Sequence, residues 1–118
     1  MNRQAKYKNG QLIGRGIEWC DWTWNVFGGC LHECQWQMPD GSIATCYAKD
    51  VALGVAQANY PDGFEHHYFH ADRLNEPLQV KQPGRIFLDS MSDLGGYWIP
   101  QEQSVKVLDV CRQASWHT

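Results

Sequence analysis

The sequence predicts an α/β fold with a βα-type succession of elements, and three observations carry that prediction. Trp22 and Trp24 sit two apart in a segment that runs into Gly28, Gly29 and Cys30, the pattern of a strand that ends in a ligand-bearing loop. Arg85 to Asp89 holds Ile86, Phe87 and Leu88 as one apolar run, which suits a strand covered on both faces, as in a parallel sheet. Apolar positions three and four apart mark one helix after the cysteines and another at the end, so strands and helices alternate. In folds built this way, sites collect at the C-terminal ends of the strands. The chain has 118 residues, against about 250 for an eight-unit barrel, so a succession of this kind could be only part of one.

Taken in order, residues 1–16 read as an N-terminal arm or lead-in, with Gly10, Gly14 and Gly16 working against a helix and strand character near Gln11 to Ile13 and Ile17 to Trp19. Trp22 to Asn25 reads as extended, and Gly28-Gly29 lets the backbone turn tightly, or approach a bound group, just before Cys30. Pro39-Asp40-Gly41 predicts a turn inside the segment between Cys34 and Cys46. From about Ala44 the spacing of Tyr47, Ala48, Val51, Ala52 and Val55 predicts a helix, capped by Ser42 or Asp40, weakened by Gly54 and ended by Asn59 and Pro61. Cys46 would then lie in its first turn, where amides and the helix dipole favour a thiolate.

Phe64 to Phe69 reads as a short strand, and His70 to Glu76 as a single turn closed by Pro77. Ser90 to Asp93 is small and polar where a β-to-α loop is due. Pro100 opens the last helix, with Ser104, Val107, Leu108, Cys111 and Ala114 on one stripe. Residues 17–118 thus form one incomplete domain, whose cysteine loop spans 30–46. Another strand would be due after the last helix.

Ten basic and 13 acidic side chains give a formal charge of -3, so no bulk field invites nucleic acid or anionic lipid. Nucleic acid binding would need a local patch. No apolar run reaches the roughly 18 residues of a membrane span and no secretory signal is present, so the expected location is the cytoplasm. A reducing compartment, and a count of five cysteines that cannot all pair, point the grouped thiols toward metal or catalysis.

Those thiols lie in a stretch from Trp19 to Ala48 that holds four of the five cysteines and four of the six tryptophans. Cys30, Cys34 and Cys46, spaced C-x3-C-x11-C, admit three readings. They can hold a 4Fe-4S cluster, one thiolate per iron, leaving a fourth iron open. They can bind zinc with Cys20 or His32 as fourth ligand, in a closed structural site. They can also be ordinary buried thiols.

The segment Ile17 to Asn25 (IEWCDWTWN), then Gly29-Cys30, Cys34, Cys46-Tyr47-Ala48, His70 to Leu74 (HADRL), Pro77-Leu78 and Arg85 to Leu94 (RIFLDSMSDL) resembles the phage Gp37/Gp68 family, a DUF5131-type group of radical S-adenosylmethionine-like proteins. The resemblance runs from about Ile17 to Thr118, and its motifs occur in order. It implies the N-terminal part of a partial (β/α) barrel of radical-SAM type whose first loop binds a 4Fe-4S cluster through Cys30, Cys34 and Cys46, with S-adenosylmethionine on the free iron. It also implies that Ser90, Ser92 and Asp93 bind the amino or carboxylate end of that cofactor, having the donors and acceptors to do so. A reduced flavodoxin or ferredoxin would supply the electron, in the cytoplasm of a bacterium or of a phage-infected host cell. The usual spacing in such enzymes is C-x3-C-x2-C. Here the last gap is 11 residues and Thr45 replaces the usual aromatic before the third cysteine. An insert of that length can be looped out at modest entropic cost. Members of this kind are generally longer and continue with further strands. An open strand edge at the end would then need cover, by self-association or by a complementing chain.

Several other residues carry competing readings. The tryptophans can shield a cluster or simply pack a small core. Adjacent His66 and His67 would face opposite sides of a strand, whereas His70, just past one, is a candidate contact for substrate or cofactor. Cys111 reads as core. Asp89 and Asp93 flank the polar loop, but their spacing alone does not make an acid-base pair. No phosphate-loop or dinucleotide motif is present.

Overall fold

The computed structural model describes residues 1–118. The chain runs through β1 (Asn2–Arg3), β2 (Ala5–Lys8), β3 (Gln11–Arg15), β4 (Trp22–Trp24), β5 (Phe27–Gly28), β6 (Gln35–Gln37), β7 (Ile43–Thr45), α1 (Tyr47–Leu53), β8 (Tyr68–Phe69), α2 (Glu76–Gln79), β9 (Ile86–Leu88) and α3 (Gln101–Gln113). Single 3-10 turns lie at Gln57–Asn59 and Ala71–Arg73. This is a mixed α/β domain with several small sheets, and the sheets do not close into a barrel.

The central sheet has the order β1-β4-β9, with β4 antiparallel to β1 and parallel to β9. Trp22, Thr23 and Trp24 pair with Ile86, Phe87 and Leu88, so the expected parallel pair is present. Because the two strands end level, Asn25 and the Asp89-Ser90 step leave the sheet side by side. The second edge of β9 is also engaged. Thr118 donates its N–H to the Gly84 carbonyl at 3.0 Å and accepts the Ile86 N–H at 2.7 Å, the bonding pattern of a parallel bridge.

Two apolar clusters hold these elements together. Trp24, Val26 and Phe27 meet Ile99, Val107 and Val110, which fixes α3 against the β4 to β5 segment. Ala48, Ala52, Tyr60, Phe64 and Met91 form a smaller cluster that joins α1 to the loop after β9. Burying side chains of this size stabilises by about 1.5–3 kcal/mol each, so the larger cluster dominates the fold.

Several expected boundaries move. The N-terminal segment forms a hairpin from β2 and β3, while β1 adds an edge to the central sheet and Ile17 to Trp19 is a bend and turn. The helix expected from Ala44 begins only at Tyr47. Residues 43–45 are instead the return strand β7, pairing Gln35 with Thr45, Trp36 with Ala44 and Gln37 with Ile43. Ser42 and Asp40 serve the hairpin turn, where Asp40 Oδ1 accepts the Ser42 N–H at 2.9 Å and Gly41 takes φ +85°. Gly54 is the C-cap of α1, which leaves Val55 outside the helix and 96% exposed. The strand expected over Phe64 to Phe69 is confined to Tyr68–Phe69, and Pro77 opens α2 where it was expected to close a turn. On α3 the buried face is Val107, Val110 and Ala114, while Leu108 and Cys111 are exposed.

Candidate metal centre and adjoining cavity

The cysteine loop starts where β5 hands the chain to Gly29. There φ is +82°, and a Cβ would lie 1.8 Å from the His66 carbonyl oxygen, so only glycine fits. The next residue, Cys30, donates its N–H to the Phe64 carbonyl at 2.8 Å, pinning the first thiol to the segment before β8. The Gly28-Gly29 pair is therefore a close backbone crossing that aims Cys30 beyond the end of the sheet.

The β6–β7 hairpin deals with the long gap. Its register runs outward from Gln37 with Ile43 to Gln35 with Thr45, and Cys34 and Cys46 directly flank that last pair. Directly opposed residues in an antiparallel ladder have Cα atoms about 4.5–5.5 Å apart, so pairing Gln35 with Thr45 brings the two chain ends that carry these cysteines side by side. Cys30 and Cys46 both pack on the Ala48, Tyr60 and Met91 cluster. Burial pushes the Cys30 thiol above its usual range, and the nearby Cys34, Cys46 and Asp93 groups add to the shift. The three thiols thus share one neighbourhood, with Cys34 exposed and the other two half-buried.

In donor type and number these thiols suit an iron-sulfur group. No three His, Cys, Asp or Glu side chains are drawn close enough to hold a single metal ion. Neither expected fourth zinc ligand joins the group. Cys20 is fully buried at the opposite end of β4, near Arg15, Asp21 and Arg85. His32 is committed to Asp93, with Nε2 2.8 Å from Oδ2, and its ring packs edge-on against Trp98. The tryptophans do not collect around the thiols either: Trp24 is core, Trp19 lies on Phe87, and Trp36 rides on the hairpin half-exposed.

The loop after β9 braces the cysteine loop. Ser92 Oγ donates to the Gly29 carbonyl at 2.7 Å. The Gly95 N–H and His32 hold the Asp93 carboxyl below its usual range. Ser90 faces the other way, donating from Oγ to Asn25 Oδ1 at 3.1 Å, while its carbonyl accepts the Tyr47 hydroxyl at 3.0 Å. Asp89 is only 6% exposed and sits at φ +54°. Its Oδ1 accepts the Phe27 N–H at 3.2 Å and its Oδ2 has no partner. Burial pushes this carboxyl up to about 7, against the pull of the Phe27 and Val26 amides.

Beside the thiol loop, over the ends of β4 and β9, opens a cavity of about 500 Å³. Asn25, Ser90 and Met91 line it from the strand ends, Tyr47 and Val51 from α1, and His70 and Arg73 from the 3-10 turn. Burial and the neighbouring Arg73 depress the His70 pKa, so its imidazole is neutral at pH 7. Met91 belongs both to the cavity wall and to the cluster on which Cys30 and Cys46 pack.

The sequence matches the family described as "protein of unknown function (DUF5131)" over residues 14–118. The chain belongs to DUF5131. Comparison with the curated proteins and with the solved structures finds no match.

For this DUF5131 chain the three cysteines picked out from spacing do gather in one region. Of the polar loop residues, Ser90 alone reaches the cavity, while Ser92 and Asp93 face the thiol loop. Asn25, Tyr47 and Arg73 were not singled out from the sequence as site residues. Asn25 carried a signal, since it directly follows a strand, and Arg73 lies in the HADRL segment. His70, expected as a contact, does line the cavity.

Proposed function

We propose that this DUF5131 chain is a radical S-adenosylmethionine-like enzyme of the phage Gp37/Gp68 type, or the N-terminal part of one, with a 4Fe-4S cluster on Cys30, Cys34 and Cys46. The observation that carries this reading is the hairpin of β6 and β7, whose last pair, Gln35 with Thr45, brings the two ends of the 11-residue gap between Cys34 and Cys46 side by side. Held by Cys30, Cys34 and Cys46, the reduced cluster would supply one electron for cleavage of the sulfonium C–S bond of S-adenosylmethionine, with methionine as the leaving group and hydrogen abstraction from a substrate as the chemistry made available.

The chain's own residues provide the setting. Three thiolates bind iron and leave one position open. Cys30 and Cys46 rest on the apolar cluster that includes Met91, Tyr60 and Phe64. Ser92 and the His32–Asp93 pair hold the cysteine loop in place, and Ser90 offers polar atoms toward the cavity. The level ends of the parallel β4 and β9 supply the strand-end position at which sites of (β/α) folds form, and on this reading β4 and β9 are strands of a partial (β/α) barrel of radical-SAM type. A reduced flavodoxin or ferredoxin is the electron donor. The edge of β9 that Thr118 covers is where self-association or a complementing chain would add a strand. Nucleic acid has no support from the charge of -3. No helix is long and apolar enough to cross a membrane.

Anaerobic reconstitution of the parent and of a Cys34→Ser variant tests the reading. The parent is expected to take up iron with sulfide-to-iron charge-transfer absorbance, and the variant to lose most of it. Tight retention of zinc instead, with unfolding on chelation, would replace this reading by a zinc-stabilised interaction or scaffolding module.

A further inference from the structure

We infer that the cavity beside the thiol loop is a binding site for a small organic oxyanion, a carboxylate or phosphate held at Arg73 with its apolar or aromatic body on Tyr47, Val51 and Met91. Arg73 lines the cavity, yet none of the ion pairs of the molecule involves it. The acid in the same wall, Glu76, is taken by the amino group of Met1. Of the five N–H donors of a guanidinium, one is used within the protein, from Nη1 to the Asn25 carbonyl at 3.3 Å. A half-buried cation with donors to spare and no counter-ion suits a planar, bidentate oxyanion.

The turn that carries Arg73 is fixed in advance. Its carbonyl accepts the Trp24 indole N–H at 2.9 Å, its N–H donates to the His70 carbonyl, and the His70 N–H donates to the Val26 carbonyl at 2.8 Å. His70 adds a neutral imidazole on the same wall, able to donate one further hydrogen bond. The same cavity is lined by the apolar atoms of Val51 and Met91 and by the half-exposed ring of Tyr47. At about 500 Å³ the cavity falls within the roughly 300–1,000 Å³ range of small-molecule sites. One charged end and one apolar wall select a ligand with both.

Binding of this kind needs no iron, so the full chain without cluster serves for the test. Backbone amide spectra are recorded during titration with phenyl phosphate and with benzoate, and with inorganic phosphate and phenol as the halves of the ligand. Saturable shifts centred on Asn25, Tyr47 and Arg73 are expected for at least one of the two joined ligands, stronger than for either half. The stronger of the two identifies phosphate or carboxylate as the natural anion. Arg73→Gln should weaken binding at least about tenfold, and Arg73→Lys by less, since lysine keeps the charge but loses the fork. Because the structural bonds of Arg73 are mostly made by its backbone, both variants should keep the parent's spectral dispersion. Unchanged affinity in folded Arg73→Gln, or no saturable binding of either joined ligand, would overturn the inference.

Discussion

At the scale of single residues, Asp89 and Gly29 do the most to fix the candidate site. Asp89 is buried with one oxygen unpartnered, so its ionised form is disfavoured in the folded chain. Its carboxyl is raised from an ordinary 3.8 to about 7. The folded state therefore binds a proton that the unfolded state has released, and stability contributed below pH 4 is lost as pH rises toward 7. The cost above that range is on the order of 4 kcal/mol. Asp89→Asn should remove the pH dependence between about pH 4 and 7 and raise stability at about pH 8 by roughly 1–3 kcal/mol. Asparagine keeps the acceptor for the Phe27 amide and tolerates positive φ. Urea unfolding at the two ends of that range measures the effect, and a parallel loss of stability at both would contradict it. Gly29→Ala brings a Cβ against the His66 carbonyl and should destabilise by about 4 kcal/mol or more, read by the same unfolding curves.

At the scale of elements, the hairpin of β6 and β7 brings the two ends of the gap between Cys34 and Cys46 side by side. Deleting residues 36–44 leaves Cys34-Gln35-Thr45-Cys46, two residues between the thiols in place of 11. If the hairpin acts only as a clamp, this shortened chain should still load iron to within about twofold of the parent. Loss of loading with the fold intact would show that the hairpin contributes more than closure. This element was only half legible in the sequence. Pro39-Asp40-Gly41 marked its turn, but Gln35 to Gln37 and Ile43 to Thr45 are too short and too exposed to show alternation. Ala44, four before Ala48, mimicked a helical start, so α1 was drawn three residues too early. On α3 a similar slip occurred: Leu108 and Cys111 continued a plausible stripe, whereas the packing against Trp24 and Phe27 turned Val110 inward. The strands β4 and β9 were plain because aromatic and branched residues are concentrated there. Their parallel pairing was legible only as an expectation, since register depends on contacts remote in sequence.

At the scale of the whole molecule, one parallel pair, two small cores and a braced thiol loop frame a candidate site assembled from remote segments. That is why Cys30, Cys34 and Cys46 could be named from spacing while Asn25 and Arg73, 48 residues apart, could not. The C-terminal residues are part of this structure. Trp116 Nε1 donates to the Val80 carbonyl at 2.8 Å, and Thr118 covers the second edge of β9. Removing residues 116–118 should lower stability by about 1–3 kcal/mol and promote self-association through the bared edge, as followed by urea unfolding and sedimentation. A monomeric shortened chain of parent stability would show that this edge is protected in another way.

The most direct measurement of the central claim is iron and sulfide analysis of anaerobically reconstituted protein, with electron paramagnetic resonance before and after adding S-adenosylmethionine. The account predicts about four irons and four sulfides per chain and a reduced-cluster signal that changes on addition. Zinc alone, no bound metal, or a cluster signal indifferent to S-adenosylmethionine would contradict it.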